Sequence, residues 1–233
     1  MSTDARKWPI VEVVDPSMTR GLYVIWFQMD PRTERWFMSH AAHIEDAAVS
    51  VMCEGVKRER RFVGRDPDIA IMDAKGGAHI VDKERNESWF MRFRSHGLDY
   101  EPNDEPAGLE ELDEWLRPVW DPVLEKTIPR LSICERVAQI PQGPLWAFQR
   151  FQWDPMMSKK ELYEQPGKDW VDCAKYFVNQ KSVNRTRLRR EAGRGKAKAR
   201  ERHQRLAASY GFGTSSQAHK PSRRQFWSPP TYR

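Results

Sequence analysis

Four aspartates stand at positions where a carboxylate could take part in metal-dependent chemistry. Asp15 ends an apolar, β-branched run near the N-terminus, and Asp73 ends a second, shorter apolar run. Such runs, bounded by turn signals, are typical of buried strands, so both carboxylates are predicted at strand ends. Asp169 and Asp172 are three residues apart near the start of a predicted helix, a spacing that puts them on one helix face. Clustered carboxylates repel one another unless a cation neutralises them, and hard oxygen ligands suit Mg²⁺ or Mn²⁺.

Two such ions, roughly 3.5–4 Å apart, can activate a water molecule and stabilise the leaving oxygen in phosphodiester hydrolysis. The four aspartates could converge on such a site if the strands that end in Asp15 and Asp73 are neighbours in one sheet. Each aspartate also has an ordinary structural use, because strand-end aspartates begin turns and acids in a first helical turn complement the helix dipole. Spacing alone leaves both interpretations open.

The elements that must position these residues follow a mixed α/β pattern. Pro16 cannot donate to a sheet ladder, so we expect the first strand to stop there. Residues 22–29 and 34–40 suit two further strands, and the short connections predict an antiparallel three-strand meander. Residues 44–62 carry apolar side chains at helical spacing. A helix between this meander and a strand over residues 68–73 favours a right-handed crossover into parallel pairing.

The second half of the chain is predicted to alternate helices with short extended segments. Helical spacing covers residues 87–95, 107–116, 137–153 and 168–178, and residues 97–102 and 131–134 are expected to be extended. His40 and His43 are the only close pair of histidines, and no other His or Cys pair completes a zinc set. We therefore interpret both histidines as loop residues.

Composition limits the class of protein. The 233 residues are 39% hydrophobic and include ten tryptophans, enough for the core of one sizeable domain. Cys53, Cys134 and Cys173 are widely spaced and form no CxxC pattern, which predicts reduced thiols in a cytosolic setting. The sequence has neither a signal-peptide pattern nor a run of about eighteen apolar residues. We expect a cytoplasmic protein with no membrane span.

Charge divides the chain into two parts. From Lys181 onward, fifteen Lys and Arg stand against two Asp and Glu, a formal charge of +13, whereas residues 1–180 carry a formal −7. Such asymmetry is typical of a polyanion-binding appendage, and a solvated tail with no specific partner is the alternative. We predict a folded domain over residues 8–180. Residues 181–233 are predicted to be a basic tail, partly helical or disordered, that binds nucleic acid or a partner.

Several short segments stand in a characteristic order along the chain. They are Val14-Asp15-Pro16 before residues 22–29, Ile71-Met72-Asp73-Ala74, and residues 103–109, 129–133, 151–153 and 168–176. Together they resemble the nuclease domain of phage terminase large subunits, the DNA-packaging motors of tailed phages, and the likeness covers residues 9–178. The resemblance implies an α/β, RNase H-like fold related to RuvC-type resolvases. Its mixed sheet would combine an antiparallel three-strand meander with parallel strands, flanked by helices.

The resemblance also implies roles for the aspartates. Asp15, Asp73 and Asp172 would bind two Mg²⁺ or Mn²⁺ ions, and Asp169 would be an additional ligand or a proton handler. Many members of the family carry an Asp-His pair where this chain has Lys168-Asp169, so the division of roles between Asp169 and Asp172 stays open. The implied activity is metal-dependent endonucleolytic cleavage of double-stranded DNA during phage genome packaging. The location would then be the host cell cytoplasm.

The packaging ATPase of that family has no counterpart in this sequence. No GxxxxGK[ST] stretch exists, because Gly193-Arg194-Gly195-Lys196 lacks both the spacing and a preceding strand. We expect either a separate packaging ATPase, with a small terminase or portal protein as further partners, or a nuclease used alone. Two other functions stay open: a RuvC-type junction resolvase, and a non-catalytic nucleic-acid-binding or assembly protein with the same fold.

Basic side chains predict how DNA would be held. Lys159, Lys160 and Lys168 lie near the predicted site in sequence and could contact phosphates. The tail supplies the larger electrostatic surface, made of Arg185, Arg187, Arg189, Arg190, Arg194, Lys196, Lys198, Arg200 and Arg202. These residues offer salt-dependent, sequence-independent attachment to double-stranded DNA, so we expect removal of residues 181–233 to weaken DNA binding.

Overall fold

The computed structural model describes residues 7–17, 19–31, 33–45, 48–82, 84–103, 109–121, 124–152, 156–158, 161 and 164–180. Its strands are β1 Ile10–Ser17, β2 Gly21–Asp30, β3 Arg35–Ile44, β4 Ile69–Asp73, β5 Ile80–Asp82, β6 Glu87–Ser88, β7 Glu101–Asn103, β8 Pro118–Asp121, β9 Lys126–Pro129 and β10 Leu131–Ile133. Its helices are α1 Val49–Val63, α2 Ala74–Ala78, α3 Trp89–Ser95, α4 Leu109–Leu116, α5 Glu135–Ala138, α6 Pro144–Arg150 and α7 Lys168–Asn179. No helix in this described part of the chain is long and apolar enough to cross a membrane.

Six strands form one mixed sheet in the order β10-β3-β2-β1-β4-β7. The first three strands of the chain pair antiparallel as a meander, whereas β4 pairs parallel to β1, β7 parallel to β4, and β10 parallel to β3. Helices cover both faces of the sheet. The predicted mixed sheet, an antiparallel meander plus parallel strands flanked by helices, is confirmed. β1 lies at its centre, between β2 and β4.

Strand alternation divides the core of the protein between the two faces of this sheet. Val11 and Val13 of β1 belong to the cluster that contains the buried side chains of α4, α6 and α7. Ile10 and Val14 belong to the opposite cluster, which contains those of α1 and α3. A residue of β1 therefore faces either α7 or α1, according to its position in this alternation. Full burial of such aliphatic side chains contributes about 1.5–3 kcal/mol each.

The end of β1 differs from the prediction. The strand does not stop at Pro16 but runs to Ser17, and Pro16 lies opposite Leu22 of β2. Pairing between β1 and β4 ends at Val14 and Met72. Beyond Val14 the β4 side of the strand has no registered partner, so a residue without an amide proton is tolerated there.

Other differences lie in β3 and in the segment after α4. His40 and His43 lie in β3 and not in a loop, and Ile44 still pairs with Leu22 of β2. Strand pairing thus overrides the helical spacing that begins at Ile44, and α1 starts only at Val49. Residues 118–121 and 126–129, for which no strand was predicted, form the two-stranded β8–β9 hairpin.

Candidate active site

The carboxyl ends of β1 and β4 bring two of the predicted aspartates together. The last registered pair of these parallel strands is Val14 with Met72, and Asp15 and Asp73 follow directly in the two strands. The side chains two residues earlier, Val13 and Ile71, belong to the α7-side cluster, so both aspartates lie on that face of the sheet. The expectation that these two strands are neighbours is confirmed.

α7 places two more aspartates over the same end of the sheet. The helix packs against β1, β2 and β4, and Asp169 and Asp172 lie in its first two turns with only 4% of each residue exposed. Gly167 precedes the helix with a φ of +80°, which glycine adopts without strain. A Cβ atom at Gly167 would also lie 2.5 Å from the Cβ of Ala147, so a side chain there would push α7 away from α6.

Three of the four carboxylates have partners. Asp73 accepts a hydrogen bond from the backbone N–H of Gly76 at 2.6 Å and thereby caps α2. Asp169 forms a salt bridge of 2.9 Å with Arg20, which lies in the turn between β1 and β2. Asp172 accepts from two lysines of its own helix. These lysines are Lys168 on Oδ2 and Lys175 on Oδ1, the latter at 2.9 Å.

Asp15 is the exception among the four. Within the described residues its carboxylate has no hydrogen-bond or ion-pair partner. Burial holds the pKa of Asp15 well above its ordinary value, and the negative charges of Asp172, Asp169 and Asp73 raise it further, against the opposing charge of Lys168. The site therefore concentrates negative charge around a carboxyl group that is poorly solvated.

Burial and the same negative charges also raise the pKa values of neighbouring side chains. Burial raises the pKa of Asp169, although Arg20 and Lys168 oppose that effect. The pKa of Tyr176 is raised by burial and then by the charges of Asp15 and Asp172. Groups that would become negative are thus disfavoured here, which is the electrostatic environment that attracts a cation.

The chain was compared with protein families, curated proteins and solved structures. No protein-family model matches the chain, and no curated protein matches it. Among solved structures, the chain is similar to the crystal structure of the g2p (large terminase) nuclease domain from the bacteriophage SPP1 with bound Mn. The match has a TM-score of 0.44 and 12% sequence identity, and it covers 76% of this chain and 89% of that chain.

The donor chemistry of the site fits Mg²⁺ or Mn²⁺, although the side chains are not arranged around an ion. Within the described residues, no group of three or more His, Cys, Asp or Glu side chains could hold a metal ion as it stands. Asp172 is instead occupied by lysines. The fit rests on the oxygen donors of the four aspartates and on Asp15, whose carboxylate has no hydrogen bond or ion pair among the described residues.

The predicted DNA-binding residues have different outcomes. Lys168 lies at the site, where it binds Asp172. Lys159, Lys160 and all the tail residues named above lie outside the described residues, so their role stays a prediction, as does the domain boundary at residue 180.

Sequence reasoning missed two cations at the site, Arg20 and Lys175. Lys175 stands three residues after Asp172, a spacing that the sequence displays. Arg20 is brought to Asp169 only by the fold.

Proposed function

We propose that this protein is a metal-dependent endonuclease that hydrolyses phosphodiester bonds of double-stranded DNA. One observation carries the proposal: the parallel register of β1 and β4 sets Asp15 beside Asp73, under the buried Asp169 and Asp172 of α7. A structural role explains Asp73, which caps α2, but not the Asp15 carboxylate. Poorly compensated carboxylates at one end of a sheet are the residues from which a hydrolytic metal centre is built.

Each residue has a defined part in this reaction. Asp15, Asp73 and Asp172 would hold two divalent ions, with Asp169 as an additional ligand or proton handler. Bound Mg²⁺ or Mn²⁺ would activate a water molecule and neutralise the charge that develops on the leaving 3′ oxygen. Arg20 keeps the Asp169 carboxylate in place through their salt bridge. Trp170, in edge-to-face contact with Tyr23 at 4.9 Å, fixes the first turn of α7 against β2.

We also propose phage genome packaging as the biological setting. The order of short segments that resembles terminase nuclease domains supports DNA cleavage during phage genome packaging, in the host cell cytoplasm. A separate packaging ATPase, small terminase or portal protein would then be the partner. The +13 tail supports attachment to DNA through phosphate contacts.

The two lysines that bind Asp172 also fit a second function. Because Lys168 and Lys175 occupy both oxygens of Asp172, a non-catalytic nucleic-acid-binding or assembly protein would also use this arrangement, with the carboxylate serving only to stabilise α7. The two functions differ in whether removal of a carboxylate changes DNA cleavage.

A cleavage assay decides between them. Supercoiled plasmid and a four-way junction are incubated with the protein and Mg²⁺ or Mn²⁺, and nicked and linear products are measured. Asp73→Asn is a suitable variant because asparagine caps a helix about as well as aspartate. We expect Asp15→Asn and Asp73→Asn each to lower the cleavage rate at least about 100-fold, because loss of even an outer partner of a metal ligand costs about 10–100-fold.

Asp113→Asn is the matched control, since Asp113 lies on α4 with a side chain that is 66% exposed and pairs with Arg117. It should cleave like the wild type. If the wild type and Asp73→Asn behave identically on both substrates, the nuclease proposal is wrong. Preferential cleavage of the junction would identify a resolvase, and DNA binding without any metal-dependent cleavage would identify the non-catalytic protein.

A further inference from the structure

Lys168 binds one of the two carboxylate oxygens of Asp172. Its ammonium group donates to Oδ2 of Asp172, and Lys175 takes Oδ1 at 2.9 Å. The Lys168 side chain is only 14% exposed and that of Asp172 only 5%. The pair is therefore a largely buried ion pair inside the carboxylate cluster and not a surface contact.

The two lysines differ in which carboxylates they affect. Lys168 is the first residue of α7 and is close enough to Asp15 and Asp169 for its positive charge to oppose the rise of the pKa of both. Lys175 lies almost two turns further along the helix, and its side chain is 23% exposed. Lys168 therefore acts on three aspartates of the cluster, whereas Lys175 forms its ion pair with Asp172.

We propose that Lys168 is a built-in counter-cation that competes with the divalent ion for Asp172, so that metal binding requires Lys168 to leave the carboxylate. This inference rests on the proposed metal-dependent function. Without metal, Lys168 neutralises part of the charge of Asp15, Asp169 and Asp172 and stabilises the first turn of α7. Lys168 is the first residue of α7, so the exchange would require movement of its side chain and not of the rest of the helix.

Mn²⁺ binding to the full-length protein tests the competition. Isothermal titration calorimetry gives the Kd for wild type, Lys168→Met and Lys175→Met, and Met keeps the length of the side chain without its charge. We expect Lys168→Met to bind Mn²⁺ about tenfold more tightly than the wild type does. A tenfold change in Kd corresponds to about 1.4 kcal/mol. The metal-free Tm of Lys168→Met should fall and recover on Mn²⁺ addition. Lys175→Met, the matched control, should stay within about twofold of the wild-type Kd, because its position leaves Oδ2 unchanged.

Unchanged or weaker Mn²⁺ binding by Lys168→Met would overturn this inference. Failure of the metal-dependent function gives a different pattern, in which neither the wild type nor Lys168→Met binds Mn²⁺ more tightly than Asp15→Asn does. If the wild type binds through Asp15 but Lys168→Met has the same Kd, the role of Lys168 alone is wrong.

A measurement on the wild type covers the case in which Lys168→Met does not fold. Amine acylation followed by mass spectrometry reports how accessible each lysine is, and Mg²⁺ is added as the competing ion. We expect Mg²⁺ to increase the acylation rate of Lys168 several-fold relative to Lys175, which serves as the internal reference. Equal rates with and without Mg²⁺, under conditions in which Mg²⁺ raises the Tm, would contradict the displacement of Lys168.

Discussion

Two carboxylates of β1, three residues apart, have opposite surroundings. Glu12 faces the α1 side of the sheet, is completely buried, and accepts hydrogen bonds from Trp26 at 2.8 Å, from two nitrogens of Arg60 at 2.8 Å each, and from Tyr100 at 2.6 Å. Asp15 faces the α7 side, and its nearby charges are mostly negative. The same strand thus carries one carboxylate whose charge is fully compensated and one whose charge is not.

The difference separates a structural carboxylate from a functional one. A buried charge is tolerated when a counter-ion and hydrogen bonds satisfy it, and Glu12 meets both conditions through Arg60 and its other donors. Asp15 has no hydrogen bond or ion pair within the described residues, and the charge of Lys168 opposes only part of its surrounding negative charge. Burial alone therefore does not identify a site in this protein, but burial without compensation does.

Removal of the Glu12 charge should have the largest effect on stability. Glu12→Gln keeps the shape of the side chain but leaves the guanidinium of Arg60, only 12% exposed, without its buried counter-ion. We expect the free energy of unfolding to fall by about 3–5 kcal/mol, the range for breaking one partner of a buried ion pair. Urea denaturation measures it.

Glu54→Gln is the control, because Glu54 pairs with Lys57 on the exposed side of α1 and its loss should leave the urea midpoint unchanged. If Glu12→Gln also unfolds at the wild-type midpoint, the buried ion pair of Glu12 with Arg60 does not stabilise the protein.

A smaller loss is expected from one donor of the Glu12 network. Tyr100→Phe removes the hydroxyl that donates to Oε1 of Glu12 and keeps the ring against Phe93. Arg60 still donates to the same oxygen, so we expect a loss of about 1.5–3 kcal/mol, as for hydrogen bonds to charged groups. Double-mutant analysis with Glu12→Gln should show that the two losses are not additive. Strict additivity would show that Tyr100 acts independently of Glu12.

Removal of the Asp15 charge should change stability in the opposite direction and by the smallest amount. The folded-state pKa of Asp15 lies above its unfolded value near 3.8, so the stability present below about pH 4 is lost as the pH rises through the folded pKa. Asp15→Asn removes this loss. In EDTA at pH 8, we expect the variant to be more stable than wild type by about 0.5–2 kcal/mol, as for other substitutions that relieve a functional group.

Urea denaturation at pH 4, 6 and 8 measures this difference. The advantage of Asp15→Asn should be small at pH 4 and grow with pH. A variant that is less stable than the wild type at pH 8 would show that the Asp15 carboxylate is compensated after all.

The sequence predicts the four clustered aspartates better than it predicts the buried Glu12 and its hydrogen-bond donors. Asp15 and Asp73 end apolar runs, and Asp169 and Asp172 have helical spacing, so local patterns suffice to propose them. Only one further fact, the pairing of β1 with β4, was needed to bring the strand-end aspartates together.

Glu12 gives no such signal. It interrupts an apolar strand, and its donors lie 14, 48 and 88 residues away along the chain. No local pattern predicts contacts over such separations. The pairing of Asp172 with Lys168 has a visible i, i+4 spacing, but its importance depends on burial, which only the packing of α7 determines.

The four aspartates lie far apart along the chain, and this affects when the site can form during synthesis. β1 and β4, which carry Asp15 and Asp73, are synthesised before α7, whose Asp169 and Asp172 come about a hundred residues later. Domains generally fold from the N-terminus during synthesis. A partly synthesised chain therefore holds only half of the carboxylates, and the proposed nuclease stays inactive towards cellular DNA until α7 has docked.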